Sequence, residues 1–401
     1  MSLSVRELRH RLFLTLLRVM TPFMSEDRNI AFAGPGSSRH LCLHIASLGV
    51  SKVLIVTDKP LRELGVAEQA TGALLEAGVP VAWYDGVLPD PTYEQVAAGL
   101  AVLKAEQCDA VLAIGGGSAM DTAKMIAACA TSNEDPKTWK GLGKVKHDAL
   151  PIFAIPTTAG TGSEVTSGAV VKDAATRAKS IISGPSMLPG ATALDAELML
   201  GLPPHITAAT GMDALTHAIE AYIGVWQRGT RLEDGRIAVR LVFQHLVTAY
   251  QEGGNLAARE GMALAAYYAG MAINQVSVGS VHAIAHQLGG TYGIPHGLAN
   301  ALVLPHVLEF CREEAESSLA ELALVIGAGE QGEPPSQLAH KFIAAVRELR
   351  TQVGIPDRSE LIQRADHQDL AVAAAAECMG YPVPRLLDEA TVVAILNQIT
   401  G

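Results

Sequence analysis

"DAVLAIGGGSAMDTAK", residues 109–124, is the stretch whose reading decides the fold. Its first half is a continuous apolar run, the pattern of a strand buried on both faces of a parallel sheet. Three glycines, Gly115, Gly116 and Gly117, and then Ser118 separate that strand from a helix-like segment. A phosphate needs backbone N–H groups aimed at it and no Cβ in the way, and glycines at a helix N-terminus supply both. The run is not GxGxxG, and taken alone it serves equally well as a tight turn.

Working outward, "KVLIVTD" (52–58), "VPVAWYD" (79–85) and "LPIFAIPTT" (150–158) read as further strands. Between them "RELGVAEQATGALLEAG" and "YEQVAAGLAVLKAEQ" read as amphipathic helices, which makes this half of the chain a βαβ arrangement. Beyond Pro203 and Pro204 the pattern is Ala- and Leu-rich at helical spacing, with almost no strand signal. The organisation expected is an extra N-terminal helix over 1–25, an α/β domain over 26–203 and an all-helical domain over 204–401.

The formal net charge of −11 removes the protein-wide basic surface that nucleic acid requires. Five scattered cysteines without a CxxC pair point to buried, reduced thiols and a cytoplasmic setting. In "VRELRHRLFLTLLRVMTPFM", Arg18 interrupts the apolar run, and the run is shorter than the roughly 20 residues of a membrane span. A helix lying on the protein body is the reading adopted, with no membrane span.

A second Gly-rich loop, "IPTTAGTGSEVTSG" (155–168), follows a strand and carries Thr157, Thr158, Thr161 and Ser163, whose hydroxyls suit a phosphate or ribose. Loops at the carboxyl ends of parallel strands converge on one crevice, so two such loops strengthen a ligand-binding reading. Asp58 ends "KVLIVTD", where a carboxylate accepts from a ribose 2′-OH and repels a 2′-phosphate, favouring NAD over NADP; an Asp there is equally a helix N-cap.

"SVHAIAHQLGGTYGIPHG" (280–297) concentrates His282, His286 and His296 in an uncharged stretch, with the helix expected to break at Gly289 and Gly290. "TGMDALTHAIEAY" puts Asp213 and His217 four apart, on one helix face. Several buried imidazoles without partners are costly, whereas one Asp and two or three neutral imidazoles suit Fe²⁺ or Zn²⁺ with room for an oxygen ligand. Spacing alone does not choose between His282 and His286.

The ordered segments "GGGSAMDTAK", "IPTTAGTGSEVT", "GMDALTHAIEAY", "VHAIAHQLGGTYGIPHGLANA" and "CMGYPVPR" resemble the iron-containing alcohol dehydrogenase family, which includes lactaldehyde reductases and butanol dehydrogenases. The likeness runs from about Asn29 to the C-terminus. It implies a Rossmann-like dinucleotide-binding domain, a helical metal-binding domain and a metal in the cleft between them. By position it implies Asp213, His217, His282 and His296 as metal ligands, with iron as the metal and zinc fitting the same set. His286 then faces nicotinamide and substrate and relays a proton.

The same likeness gives Gly116, Gly117 and Ser118 to the pyrophosphate, and Thr157, Thr158 and Thr161 to the phosphates and ribose. Lys179 falls by the nicotinamide ribose and Asp121 beside the cofactor, as a second catalytic candidate. Two positions depart from the family. Asp90 stands where several members carry Asn, and Ile273 replaces a frequent pocket Phe, implying a wider pocket for longer alcohols. The activity implied is reversible hydride transfer between primary alcohols or aldehydes and NAD, with the metal as Lewis acid, in a homodimer or larger homo-oligomer. A dehydroquinate-synthase-like lyase with internally recycled NAD is the alternative, although the metal-ligand segments carry little of the Lys and Arg it would need. A catalytically silent structural subunit is a further one, opposed by the intact ligand positions.

Overall fold

A computed structural model describes residues 5–20, 28–176, 178–226 and 230–401. Residues 1–4 and 21–25 of the expected N-terminal helix lie outside them. The described part of that segment forms α1 (Val5–Met20). The chain divides into two compact units, one built on a parallel sheet and one of helices.

The sheet unit holds residues 28–202 and Gly253–Gly270. In chain order it comprises β1 (Ile30–Ala33), α2 (Ser37–Ser47), β2 (Val53–Val56), α3 (Lys59–Glu63), α4 (Val66–Glu76), β3 (Val81–Tyr84), α5 (Tyr93–Ala105), β4 (Ala110–Gly115), α6 (Gly117–Ala130), β5 (Ile152–Pro156), β6 (Gly168–Lys172), β7 (Lys179–Ser183) and β8 (Ala191–Leu194). Six strands pair in the order β1-β8-β5-β4-β2-β3, all parallel, and β6 and β7 form a separate antiparallel hairpin.

Every residue of β2, β4, β5 and β8 is buried, which is why the first three read as unbroken apolar runs; β8, with Thr192 inside it, did not stand out in the sequence. Leu54 and Val56 point to a core shared with α5 and α6, while Val53 and Ile55 point to one shared with α2 and α4. The segment read as one helix over 62–78 is two, because Gly65 adopts φ +72 between α3 and α4. A left-handed residue ends the first helix and starts the second.

The helical unit holds α1 with Pro203–Glu252 and Met271–Gly401. Its further helices are α7 (Pro204–Ile223), α8 (Thr230–Gln251), the second part of α9 (Leu256–Val276), α10 (Ser280–Tyr292), α11 (His296–Phe310), α12 (Glu316–Val325), α13 (Pro335–Gln352), α14 (His367–Cys378) and α15 (Glu389–Ile399). No described residue after Leu194 lies in a strand. The units are not two continuous halves, since Gly253–Gly270 groups with the sheet.

The expected break of α10 at Gly289 and Gly290 is corrected. The helix runs through both glycines to Tyr292 and ends at Gly293, which takes φ +69 and donates to the Gly289 carbonyl. A mid-helix glycine costs about 1 kcal/mol, which the burial of one helix face outweighs. Among the described residues no helix is long and apolar enough to cross a membrane.

Candidate metal centre and dinucleotide loops

α7 is buried almost without interruption from Gly211 to Ile223, so its Ala-rich face carries Asp213 and His217 into the helical unit's interior. α11 approaches α7 so closely that a Cβ on Gly297 would lie 2.1 Å from the Ala209 carbonyl oxygen, and this contact brings His296 to Asp213. α10 supplies His282. Ligand atoms of Asp213, His217, His282 and His296 all fall within 4.8 Å of one another. Asp213 Oδ1 lies 3.8, 3.9 and 3.6 Å from Nε2 of His217, His282 and His296.

A tetrahedral ion with bonds of about 2.1 Å has ligand-to-ligand edges of about 3.4 Å, so the spacing suits one cation with modest tightening. The donor chemistry suits it too. Burial holds His282 well below the usual imidazole range and His296 at about 3, which keeps both neutral with lone pairs available. Burial works to raise the Asp213 carboxyl, but His217, His296, His282 and the Asn300 amide outweigh it and keep the group ionised.

Besides Asp213, two further carboxylates from other helices meet the histidines of this uncharged stretch. Glu220 Oε2 sits 2.6 Å from His282 Nδ1, and the same carboxylate accepts from the N–H groups of Gly279 (2.7 Å) and Val281 (2.6 Å). A hydrogen bond at Nδ1 fixes the tautomer that presents Nε2 to a metal. A signal existed on α7: Asp213, His217 and Glu220 follow at intervals of four and three, along one helix face. Asn300 donates to Asp213 Oδ1 at 2.7 Å.

His286 stands beside this group and outside it. Its ring stacks on His296 with centroids 5.4 Å apart and meets His282 edge-on at 5.7 Å. Its Nδ1 lies 2.6 Å from Glu377 Oε1, a carboxylate that also accepts from Tyr381 and Gln287. Nothing local in the sequence marks Glu377, which is 91 positions from His286. Ile273 is half-buried, packing against the cluster of Ala221, Trp226, Ala272 and Val276.

In the sheet unit the strand order reverses between β2 and β4, the kind of switch point outside which open α/β sheets bind ligands. Gly116 caps α6, with Gly117 and Ser118 in its first turn. The loop after β5 is tied to β4 by Thr157 N–H donating to the Gly115 carbonyl. Thr158 and Thr161 fill the space that side chains on Gly116 and Gly117 would take: a Cβ would come 3.2 Å from Thr158 Oγ1 and 2.9 Å from Thr161 Cγ2.

Three expected cofactor residues have partners inside the unit. Asp58 caps α3, accepting from Leu61 N–H at 2.9 Å. Lys179 pairs with Asp90 at 2.6 Å. Asp121 accepts from Ser163 Oγ and Val170 N–H, both at 2.8 Å, while buried Lys124 donates to Ser163 and the Gly168 carbonyl. Asp121 therefore ties the second Gly-rich loop and β6 to α6.

Residues 29–196 match the iron-containing alcohol dehydrogenase family and residues 207–400 match the C-terminal domain of the Fe-containing alcohol dehydrogenase family. The chain is 40% identical over 374 residues to 1,3-propanediol dehydrogenase of Klebsiella pneumoniae, covering 92% of this chain and 97% of that one. It is 38% identical over 360 residues to lactaldehyde reductase of Escherichia coli strain K12, covering 87% and 92%. The crystal structure of a 1,3-propanediol oxidoreductase matches with a TM-score of 0.90 at 40% identity, covering 92% of this chain and 97% of that one. The lyase alternative is not favoured by these relatives. A parallel-sheet unit, a helical unit with a clustered Asp and three His, and matches over both parts agree: the chain belongs to the iron-containing alcohol dehydrogenase family and is a metal-dependent, NAD-linked alcohol dehydrogenase.

Proposed function

We propose that this enzyme interconverts primary alcohols and aldehydes with Asp213, His217, His282 and His296 holding divalent iron, zinc fitting the same donors. The observation that carries the reading is the convergence of those four ligand atoms within 4.8 Å. When bound, iron supplies a Lewis acid for the substrate oxygen and NAD supplies the hydride acceptor. Glu220 orients His282 through Nδ1, and Asn300 holds the Asp213 oxygen that faces the imidazoles. His286 donates its Nδ1–H to Glu377, which leaves Nε2 to take the hydroxyl proton.

The N–H groups of Gly116, Gly117 and Ser118 at the start of α6 receive the pyrophosphate. Thr157, Thr158 and Thr161 serve its oxygens and the ribose. Asp58 and Lys179 take further cofactor contacts, and Asp121 serves the cofactor by fixing the loop. Chelator-stripped protein is expected to bind NAD while losing turnover, with iron restoring it. Full turnover after verified metal removal would refute the reading.

Half-buried Ile273, smaller than Phe, supports a wider substrate pocket. Ile273→Phe should lower kcat/KM for long alcohols relative to short ones, and an unchanged ratio would remove Ile273 from the pocket. Five buried free thiols support a cytoplasmic enzyme, and the family resemblance supports a homodimer or larger homo-oligomer, which light scattering on the purified protein tests.

A further inference from the structure

α1 precedes the residues that match the family, 29–196 and 207–400, and its contacts lead back to the metal-centre region of the helical unit. At the end of α14 the backbone tightens, with Met379 N–H turning to the Ala376 carbonyl, Gly380 N–H to Glu377 and Tyr381 N–H to Cys378. The carbonyls of Ala375 and Met379 are met by α1. The Arg6 guanidinium donates to Ala375 O, with its Nε 3.4 Å from Met379 Sδ, and buried His10 places Nδ1 3.3 Å from Met379 O. A cation on the last carbonyls of a helix satisfies groups that the helix leaves open and complements its dipole. Between the two capped carbonyls lies Glu377.

We propose that α1 is a working part of the active centre: Arg6 and His10 cap α14 so that Glu377 in its last turn holds His286 by Nδ1, with Nε2 turned to the proton it accepts. Arg6, His10 and Glu377 are positioning residues, acting through His286 without touching substrate. The carboxylate is suited to this, because Tyr381 and Gln287 hold it from both oxygens and leave it one orientation toward the imidazole. The proposal rests on the reading of His286 as the proton acceptor.

The test uses the full-length, metal-loaded enzyme, reading kcat, the KM for NAD, bound iron and the melting temperature. His286→Ala checks the underlying reading, and full kcat in that variant would end it regardless of α1. With His286→Ala impaired, Glu377→Ala should lower kcat about tenfold or more while the KM for NAD and bound iron stay as in the parent, and Glu377→Gln should recover part of the loss. Arg6→Ala should lower kcat severalfold, Arg6→Lys should recover most of it, and the Arg6→Ala, Glu377→Ala double variant should lose no more than Glu377→Ala alone. His10→Ala takes the place of Arg6→Ala if the latter does not fold. A lower melting temperature with parental kcat in the α1 variants, or losses that multiply in the double variant, would overturn the proposal.

Discussion

Glu220→Gln isolates the carboxylate that contacts Nδ1 of His282, one of the four proposed metal ligands. The carboxylate is buried and takes three donors, Gly279 N–H and His282 Nδ1 on Oε2 and Val281 N–H on Oε1. A glutamine keeps the shape but turns one acceptor into a donor. With its amide nitrogen at the Oε2 position, two donors face it and His282 must move its proton to Nε2, removing the lone pair from the metal. With nitrogen at Oε1, only the Val281 N–H is stranded.

The second arrangement is the cheaper. It leaves one buried N–H unpaired, about 1–3 kcal/mol, and reduces a charge-assisted hydrogen bond to a neutral one, about 1 kcal/mol more. Metal-free protein should therefore lose about 2–4 kcal/mol of stability in guanidinium titration. Iron affinity, measured by competition with a chelator of known strength, should fall about 10–100-fold. A variant within about twofold of the parent in affinity and about 0.5 kcal/mol in stability would show that the Glu220–His282 contact does not orient the ligand.

Gly297→Ala places a Cβ 2.1 Å from the Ala209 carbonyl oxygen, so α11 must withdraw from α7 and carry His296 with it. Loss of about 3 kcal/mol or more, together with weakened iron binding, is expected in melting and chelator titrations, and parental values in both would show the approach to be unimportant. Gly117→Ala brings a Cβ to 2.9 Å from Thr161 Cγ2 at the expected pyrophosphate loop. NAD binding, followed by fluorescence, should weaken about tenfold or more with iron content unchanged, whereas parental NAD affinity would move the dinucleotide elsewhere. Burial pushes the thiols of Cys42 and Cys311 up to about 12 and that of Cys129 up to about 11. These acids stay protonated well above neutrality, so native protein at pH 8 should resist alkylation until denatured, and rapid labelling of any of the three would contradict their packing.

Three of the four central strands, β2, β4 and β5, announced themselves because burial on both faces demands unbroken apolar residues, a rule that acts within a few positions of chain, whereas β8, equally buried but only four residues long and carrying Thr192, gave no such signal, and neither did the exposed edge strand β1. The glycine turn at 115–117 was equally legible, since only glycine leaves a strand-to-helix turn open to backbone contact. The hairpin of β6 and β7 was missed: its short, half-polar strands, such as "GAVVK", carry no comparable signal. Asp58 shows the limit from the other side, because one residue type in one place serves as ribose acceptor or helix cap, and its hydrogen bond to Leu61 is set by the turn it occupies.

The sequence by itself determined a parallel-sheet part, a helical part and the pairing of Asp213 with His217 on one helix face. These follow from propensity and periodicity, which are local. Spacing left His282 and His286 undecided, and the tertiary structure groups His282 with Asp213, His217 and His296 as the family resemblance implied, with His286 beside them; it alone decided that Glu220 and Glu377 meet those imidazoles from 62 and 91 positions away. The reason is geometric. On one helix face both histidines are available, and the packing of α7 and α11 is what gathers the ring of His282, and not that of His286, with Asp213, His217 and His296.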